Sequence, residues 1–147
     1  MTTRTLATSS RPSPRLVAAV TLGVAAIVAV GANTVVALAA VAAGASSTFA
    51  PLSIAVYAPF TVAGLLAGYV GWRLMRGRSR RPRRTLLLLV PIVLVLSFVP
   101  DTIAMIVGFI PGGSATAYLG LMLMHVVVVA VGVPVFASIA PAIRSRA

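Results

Sequence analysis

The chain has 147 residues, 60% of them hydrophobic and 9% charged, with 12 basic residues (all arginine), one acidic residue, one histidine and no cysteine. Soluble domains carry about 25% charged residues, so this composition cannot hydrate a globular surface, and it excludes a soluble globule, a disordered basic chain and a disulfide scaffold. A net charge of +11 on an aqueous surface would point to nucleic acid; here the arginines lie in short stretches between long uncharged blocks, where they set topology, and no nucleic-acid partner is expected.

Residues 1–15 carry Arg4, Arg11 and Arg15 and read as a basic, disordered tail. No charged side chain occurs between Leu16 and Trp72. A membrane helix needs about 20 mainly apolar residues to cross roughly 30 Å of hydrocarbon, so this block accommodates two spans. The small polar residues from Gly44 to Thr48, followed by Pro51, mark the turn, because proline is tolerated in a first helical turn. Helix 1 is expected over 16–43 and helix 2 over 51–75. A signal peptide has an apolar core of about 7–15 residues; the run after Arg15 is far longer, so helix 1 is expected to be retained.

The next uncharged block, from Thr85 to Ile143, contains only Asp101 and His125 as ionisable groups. Pro111, Gly112, Gly113 and Ser114 form a strong turn signal and divide it into helix 3 over 85–110 and helix 4 over 115–143. Residues 144–147 complete the chain as a short tail. The fold class is therefore all-α, a polytopic transmembrane four-helix bundle in one domain over 16–143. Pro100 and Pro134 are expected to kink helices 3 and 4, since an interior proline removes one hydrogen bond and crowds the carbonyl four residues earlier.

Three arginines precede helix 1, seven lie from Arg73 to Arg84, and two follow helix 4. Arginine-rich short loops remain cytoplasmic, so both termini and the central loop are expected inside the cell and the protein in the plasma membrane. Arg76, Arg78, Arg80, Arg81, Arg83 and Arg84 would also attract anionic lipid headgroups at about 1 kcal/mol each. Tyr57 and Phe60 fall near the outer end of helix 2, and Tyr69 and Trp72 near its inner end, where amphipathic rings favour the headgroup level.

Membrane helices associate through small residues and buried polar contacts. Gly64 and Gly68 form a GxxxG in helix 2, with Gly71 one turn on, and Gly23 and Gly31 share a face of helix 1. A close antiparallel pairing of helices 1 and 2 is the simplest expectation; a homo-oligomer face, or a surface for another membrane protein, is the alternative use of the same glycines.

Each span carries one polar residue at a comparable depth: Asn33, Thr61, Asp101 and His125. At a rise of 1.5 Å per residue each lies about 9–10 residues, or roughly 15 Å, from the outer end. An ionised Asp at mid-span costs about 2.5–3.5 kcal/mol, so Asp101 requires a partner. The proposed constellation is an Asp101–His125 contact completed by Asn33 or Thr61. It reads either as a proton-binding or polar-ligand site, since intramembrane ionisable groups are functional candidates, or as a satisfied pair that fixes packing. In a rival geometry helix 3 stops at Pro100, Asp101 caps it at the outer interface, and Asp101 is separated from His125. Metal chemistry is not expected from one His and one carboxylate. Gly112, Gly113 and Ser114 lack the strand–turn–helix setting of a nucleophile elbow. Neither an enzyme nor a cofactor is expected.

The Ala/Val-rich first helix with Asn33 and the Arg/Pro-rich stretch from Arg76 to Arg84 resemble an actinobacterial family of small four-helix membrane proteins of unknown function. The resemblance extends to the Ser97–Asp101 segment and to Leu123-Met124-His125 followed by Val133-Pro134. It implies no activity, and it marks Asn33, Asp101 and His125 as the residues to test first. The chain also looks superficially like small multidrug-resistance transporters, but helix 1 lacks the carboxylate those proteins carry. The functional expectation is a non-enzymatic packing or accessory protein; the alternative is a small proton-linked transporter using Asp101 and His125.

The topology predicts that Ser47→Cys, introduced into a chain with no native cysteine, is labelled by a membrane-impermeant thiol reagent in intact cells. Ser79→Cys, in the arginine-rich loop, is expected to react only after lysis.

Overall fold

The computed structural model describes residues 13–141. Most of the basic N-terminal tail and the whole of the 144–147 tail lie outside them. Four helices, or helix pairs in tandem, are long and apolar enough to cross a membrane, and the chain is a multi-pass α-helical bundle. α1 spans Pro14–Ala42. It starts two residues before the expected boundary because Ser13 caps it: the serine hydroxyl accepts from the Leu16 N–H at 3.3 Å, and Pro14 occupies the first turn, where no N–H is needed.

The loop after α1 turns at Gly44, whose φ of 97° is a conformation that side chains with a Cβ rarely adopt. Pro51 lies in a short 3-10 turn, Ala50–Leu52, rather than in the second helix. α2 therefore begins at Ile54 and runs to Arg78, three residues later than expected at each end.

The third span is interrupted, where a continuous helix over 85–110 was expected. α3 covers Pro82–Ser97 and α4 covers Val99–Val107. The cause is Pro100, which has no N–H to offer the Leu96 carbonyl and whose ring crowds that carbonyl. The ends freed by the break are closed locally. Ser97 donates its hydroxyl to the Leu94 carbonyl at 2.6 Å, and Thr102 donates to the Phe98 carbonyl at 2.8 Å. α4 ends at Gly108 in the left-handed conformation, so residues 109–110 lie beyond the helix.

α5 runs from Ala115 to Ile139, four residues shorter than expected. Its N-terminus is capped by Ser114, which accepts from the Ala117 N–H at 3.2 Å. At the other end Pro141 forces Ala140 out of helical geometry, to φ −143° and ψ 71°. Pro134, by contrast, stays inside the helix.

α5 is the hub of the bundle. It packs on α1, α2, α3 and α4, and its contact with α1 is the most extensive. α1 presents Ala25, Ala29, Asn33, Ala37 and Ala40 at intervals of four, four, four and three residues, all buried; that spacing follows one face of a helix. The closest approach is at Gly120, where an added Cβ would lie 3.0 Å from the Ala40 Cβ.

The glycines singled out in α2 do not produce a close α1–α2 pairing. Gly64 lies against Val128 and Gly68 against Phe136, both on α5, and positions 23, 31 and 71 have open space where a Cβ would be. Seen from α2, the small residues accommodate bulky side chains of α5.

Two apolar clusters fill the interior. One, at the end away from the arginines, joins Ala37, Ala40, Phe49, Leu52, Tyr57, Tyr118 and Met124, with the Phe49 and Tyr118 rings edge-on at 5.3 Å. The other, toward the arginines, gathers Ala29, Leu65, Trp72, Leu86, Phe136 and Ala140. Leu86 is the one buried residue of α3, so that helix is held loosely.

Overpacking a tight contact costs about 1–3 kcal/mol. Gly120→Val is accordingly expected to lower bundle stability by that amount in a detergent unfolding titration. Gly23→Ala, which meets no neighbour within 4 Å, should leave stability unchanged or raise it by up to about 1 kcal/mol.

Candidate functional site

The polar residues of the spans form two pairs rather than one constellation. Asn33 of α1 donates its side-chain N–H to the Thr61 hydroxyl of α2 at 2.8 Å, with both residues buried. One residue on, the Thr34 and Tyr57 hydroxyls lie 2.7 Å apart, and Thr34 also donates to the Val30 carbonyl. Tyr57 thus points into the bundle. The Asn33 carboxamide oxygen is buried and accepts no hydrogen bond from the described residues.

The second pair joins α4 to α5. Asp101 Oδ2 is 3.4 Å from His125 Nδ1. The same nitrogen lies 3.0 Å from the Leu121 carbonyl of its own helix. With its proton on that carbonyl, Nδ1 faces the carboxylate at ion-pair distance without aiming a hydrogen bond at it, and Oδ2 is left without a hydrogen-bond partner. The Phe98 ring stands edge-on to the imidazole at 6.1 Å between centroids.

The interruption at Phe98 therefore does not separate Asp101 from His125. Asp101 falls in the first turn of α4, where unpaired N–H groups and the helix dipole favour a carboxylate by about 0.3–1 kcal/mol. The break supplies that favourable end within the span, and α4 keeps its register against α5. Asp101 is both a first-turn residue of a new helix and a neighbour of His125. Neither Asn33 nor Thr61 hydrogen-bonds to this pair.

Two further interhelical hydrogen bonds come from aromatic side chains. Tyr118 donates to the Ala104 carbonyl at 3.1 Å, tying α5 to α4. Trp72 is 8% exposed and donates its indole N–H to the Ala140 carbonyl at 2.8 Å. The ring thus faces into the bundle, and the indole satisfies a carbonyl left free where α5 ends. Arg76 donates to the next carbonyl, that of Pro141, at 3.1 Å. Sequence reasoning missed these roles, although aromatic residues with one polar atom near helix ends were the available signal.

The arginines cluster at this same end of the bundle. Arg76 and Arg78 lie in the last turn of α2, where cations complement the helix dipole. Arg80 and Arg81 occupy the connection, and Arg83 and Arg84 the first turn of α3, where a positive charge opposes the dipole. Arg73 stacks over the Tyr69 ring at 5.9 Å.

Between α2, α3 and α5 lies a half-open cleft of about 500 Å³. It extends from Trp72 and Leu86 at the arginine end to Ser97 and His125, and Gly64, Gly68 and Gly71 line its α2 wall. His125 thus belongs both to the polar pair and to the end of an apolar cleft.

Interhelical hydrogen bonds in membranes are worth about 0.6 kcal/mol on average and up to about 1.7. Thr61→Val is expected to cost about that range in unfolding free energy. Its double-mutant cycle with Asn33→Leu should return a coupling of the same sign, because each partner alone leaves the other buried and unpaired.

Comparison with known proteins found no curated protein and no solved structure that matches the chain. A family of unknown function, DUF6069, matches over residues 12–142, which include every described helix and both polar pairs. The chain belongs to the DUF6069 family.

Proposed function

We propose that this is a non-enzymatic integral protein of a bacterial plasma membrane, an accessory protein that packs with itself or with another membrane protein, with both termini and the arginine-rich loop in the cytoplasm. The observation that carries this reading is where the polar side chains of the spans are spent. Asn33 with Thr61, Thr34 with Tyr57, Tyr118 with the Ala104 carbonyl and Trp72 with the Ala140 carbonyl each tie one helix to another. Groups used this way specify a bundle; they do not converge on a common point as a reacting substrate would require. The arrangement of arginines supports the orientation, and the resemblance to small actinobacterial membrane proteins supports the cellular setting.

A second reading, proton-linked transport, is favoured by the 3.4 Å approach of Asp101 to His125. A carboxylate beside an imidazole inside a span is the chemistry from which proton relays are built. No other acidic residue exists in the chain to extend such a relay.

Asp101→Asn separates the two readings. In proteoliposomes under an imposed pH gradient, the first reading expects wild type and variant to show the same proton flux, with a lower thermal midpoint in the variant. Proton flux carried by wild type and lost in an assembled Asp101→Asn bundle would replace the first reading with the second.

A further inference from the structure

The cleft between α2, α3 and α5 is not used by either polar pair's packing role, and its shape and surroundings constrain what can fill it. Its walls are apolar from Trp72 and Leu86 onward, and the first polar groups at its far end are Ser97 and His125. Along α3, Leu86 to Ser97 is 11 residues, or about 16 Å of helix. Half of a hydrocarbon core roughly 30 Å thick is about 15 Å. The cleft therefore begins at the arginine-bearing face and ends near the bilayer midplane, the depth of one leaflet.

Charge at its mouth selects the occupant. A second hollow of about 480 Å³ shares Trp72, Leu86, Val90 and Val133 with the cleft, and Arg83 and Pro141 border it. Arg76 is fixed at the same place by its bond to the Pro141 carbonyl. The single acidic side chain of the protein, Asp101, is 15 residues beyond Leu86, about 22 Å along the third span. No carboxylate side chain of the protein therefore reaches these guanidiniums, and guanidinium binds phosphate in paired hydrogen bonds.

We infer that the cleft is a lipid-binding site that takes one acyl chain of an anionic phospholipid from the cytoplasmic leaflet, with the phosphate at Arg83 and Arg76 and the chain lying along Gly64, Gly68 and Gly71 toward His125. Gly71 then has a purpose that helix–helix contact does not supply: nothing lies within 4 Å of where its Cβ would be, and a side chain there would fill the space the alkyl chain needs. The inference rests on the arginine-bearing end lying at the cytoplasmic face. It does not depend on whether the protein is an accessory protein or a transporter.

Trp72 lines the cleft and is the only tryptophan of the chain, which makes it an internal probe. The full-length protein is reconstituted in vesicles containing phosphatidylglycerol or phosphatidylcholine brominated near the glycerol end of the acyl chain, at equal mole fractions. Brominated phosphatidylglycerol is expected to quench Trp72 with a relative association about thirtyfold above phosphatidylcholine, the preference two interfacial arginines confer. Arg83→Gln should cut that ratio about fivefold. Gly71→Leu, which fills the cleft with a better helix former, should remove the lipid-specific quenching while leaving the helical circular dichroism intact. Should Gly71→Leu fail to assemble, Arg83→Gln alone decides. Equal quenching by the two lipids overturns the inference. So does a preference that survives in an assembled Gly71→Leu, which would assign it to the surrounding lipid belt. Quenching that falls as protein density in the vesicle rises would give the cleft to a second copy of the chain, and overturns it as well.

Discussion

Alkyl tails surround a membrane helix with a medium as apolar as its own side chains, so α1 gains nothing by hiding alanine from lipid. What α1 gains on α5 is proximity: Ala25, Ala29, Ala37 and Ala40 let the two backbones approach, and Gly120 brings a Cβ of α1 almost against the α5 main chain. Dispersion falls off steeply with gap width, so the contact is strong only while those side chains stay small. The rest of the bundle is arranged around this seam. α2 closes one flank of it through Asn33 and Thr61, α3 packs across α2 and α5, and α4 rests on α5. Asn33 is the single buried polar residue on the α1 stripe, which places its hydrogen bond along this seam.

The four spans and their turns were legible in the sequence because hydrocarbon imposes a length and forbids charge, and both constraints act on composition alone. Finer features depended on geometry that composition does not encode. Helix 2 shifted by three residues because Pro51 found its place in a 3-10 turn, a use of proline that local sequence cannot distinguish from a first helical turn. The third span breaks at Phe98 because Pro100 cannot donate to the Leu96 carbonyl and crowds it. Trp72 and Tyr57 were read as interface residues because their type and depth suit that level. The structure turns both inward, where each polar atom meets a partner on another helix.

The candidate site shows the same division. Depth along a helix follows from counting residues, which puts Asn33, Thr61, Asp101 and His125 at a comparable expected level. Which of them face one another depends on rotation about each helix axis, at 100° per residue in an ideal helix of 3.6 residues per turn. A change of a single position swings a side chain to another neighbour. Four residues at one depth could thus form one cluster or two pairs, and the α4–α5 register settles it as two. The glycines of α2 illustrate the point from the apolar side. GxxxG marks a face of the helix without naming what lies opposite, and the facing element here is α5.

The two ends of the bundle are closed to different degrees. At the end away from the arginines Phe49 and Tyr118 meet edge to face, Ser46 and Thr48 come up against Gly112, and the Tyr118 hydroxyl pins α4. At the arginine-bearing end α3 buries only Leu86 against the others. His125 therefore has the plugged end of the bundle on one side and the apolar cleft on the other. The side on which the bundle leaves that imidazole open is the lateral one, between helices.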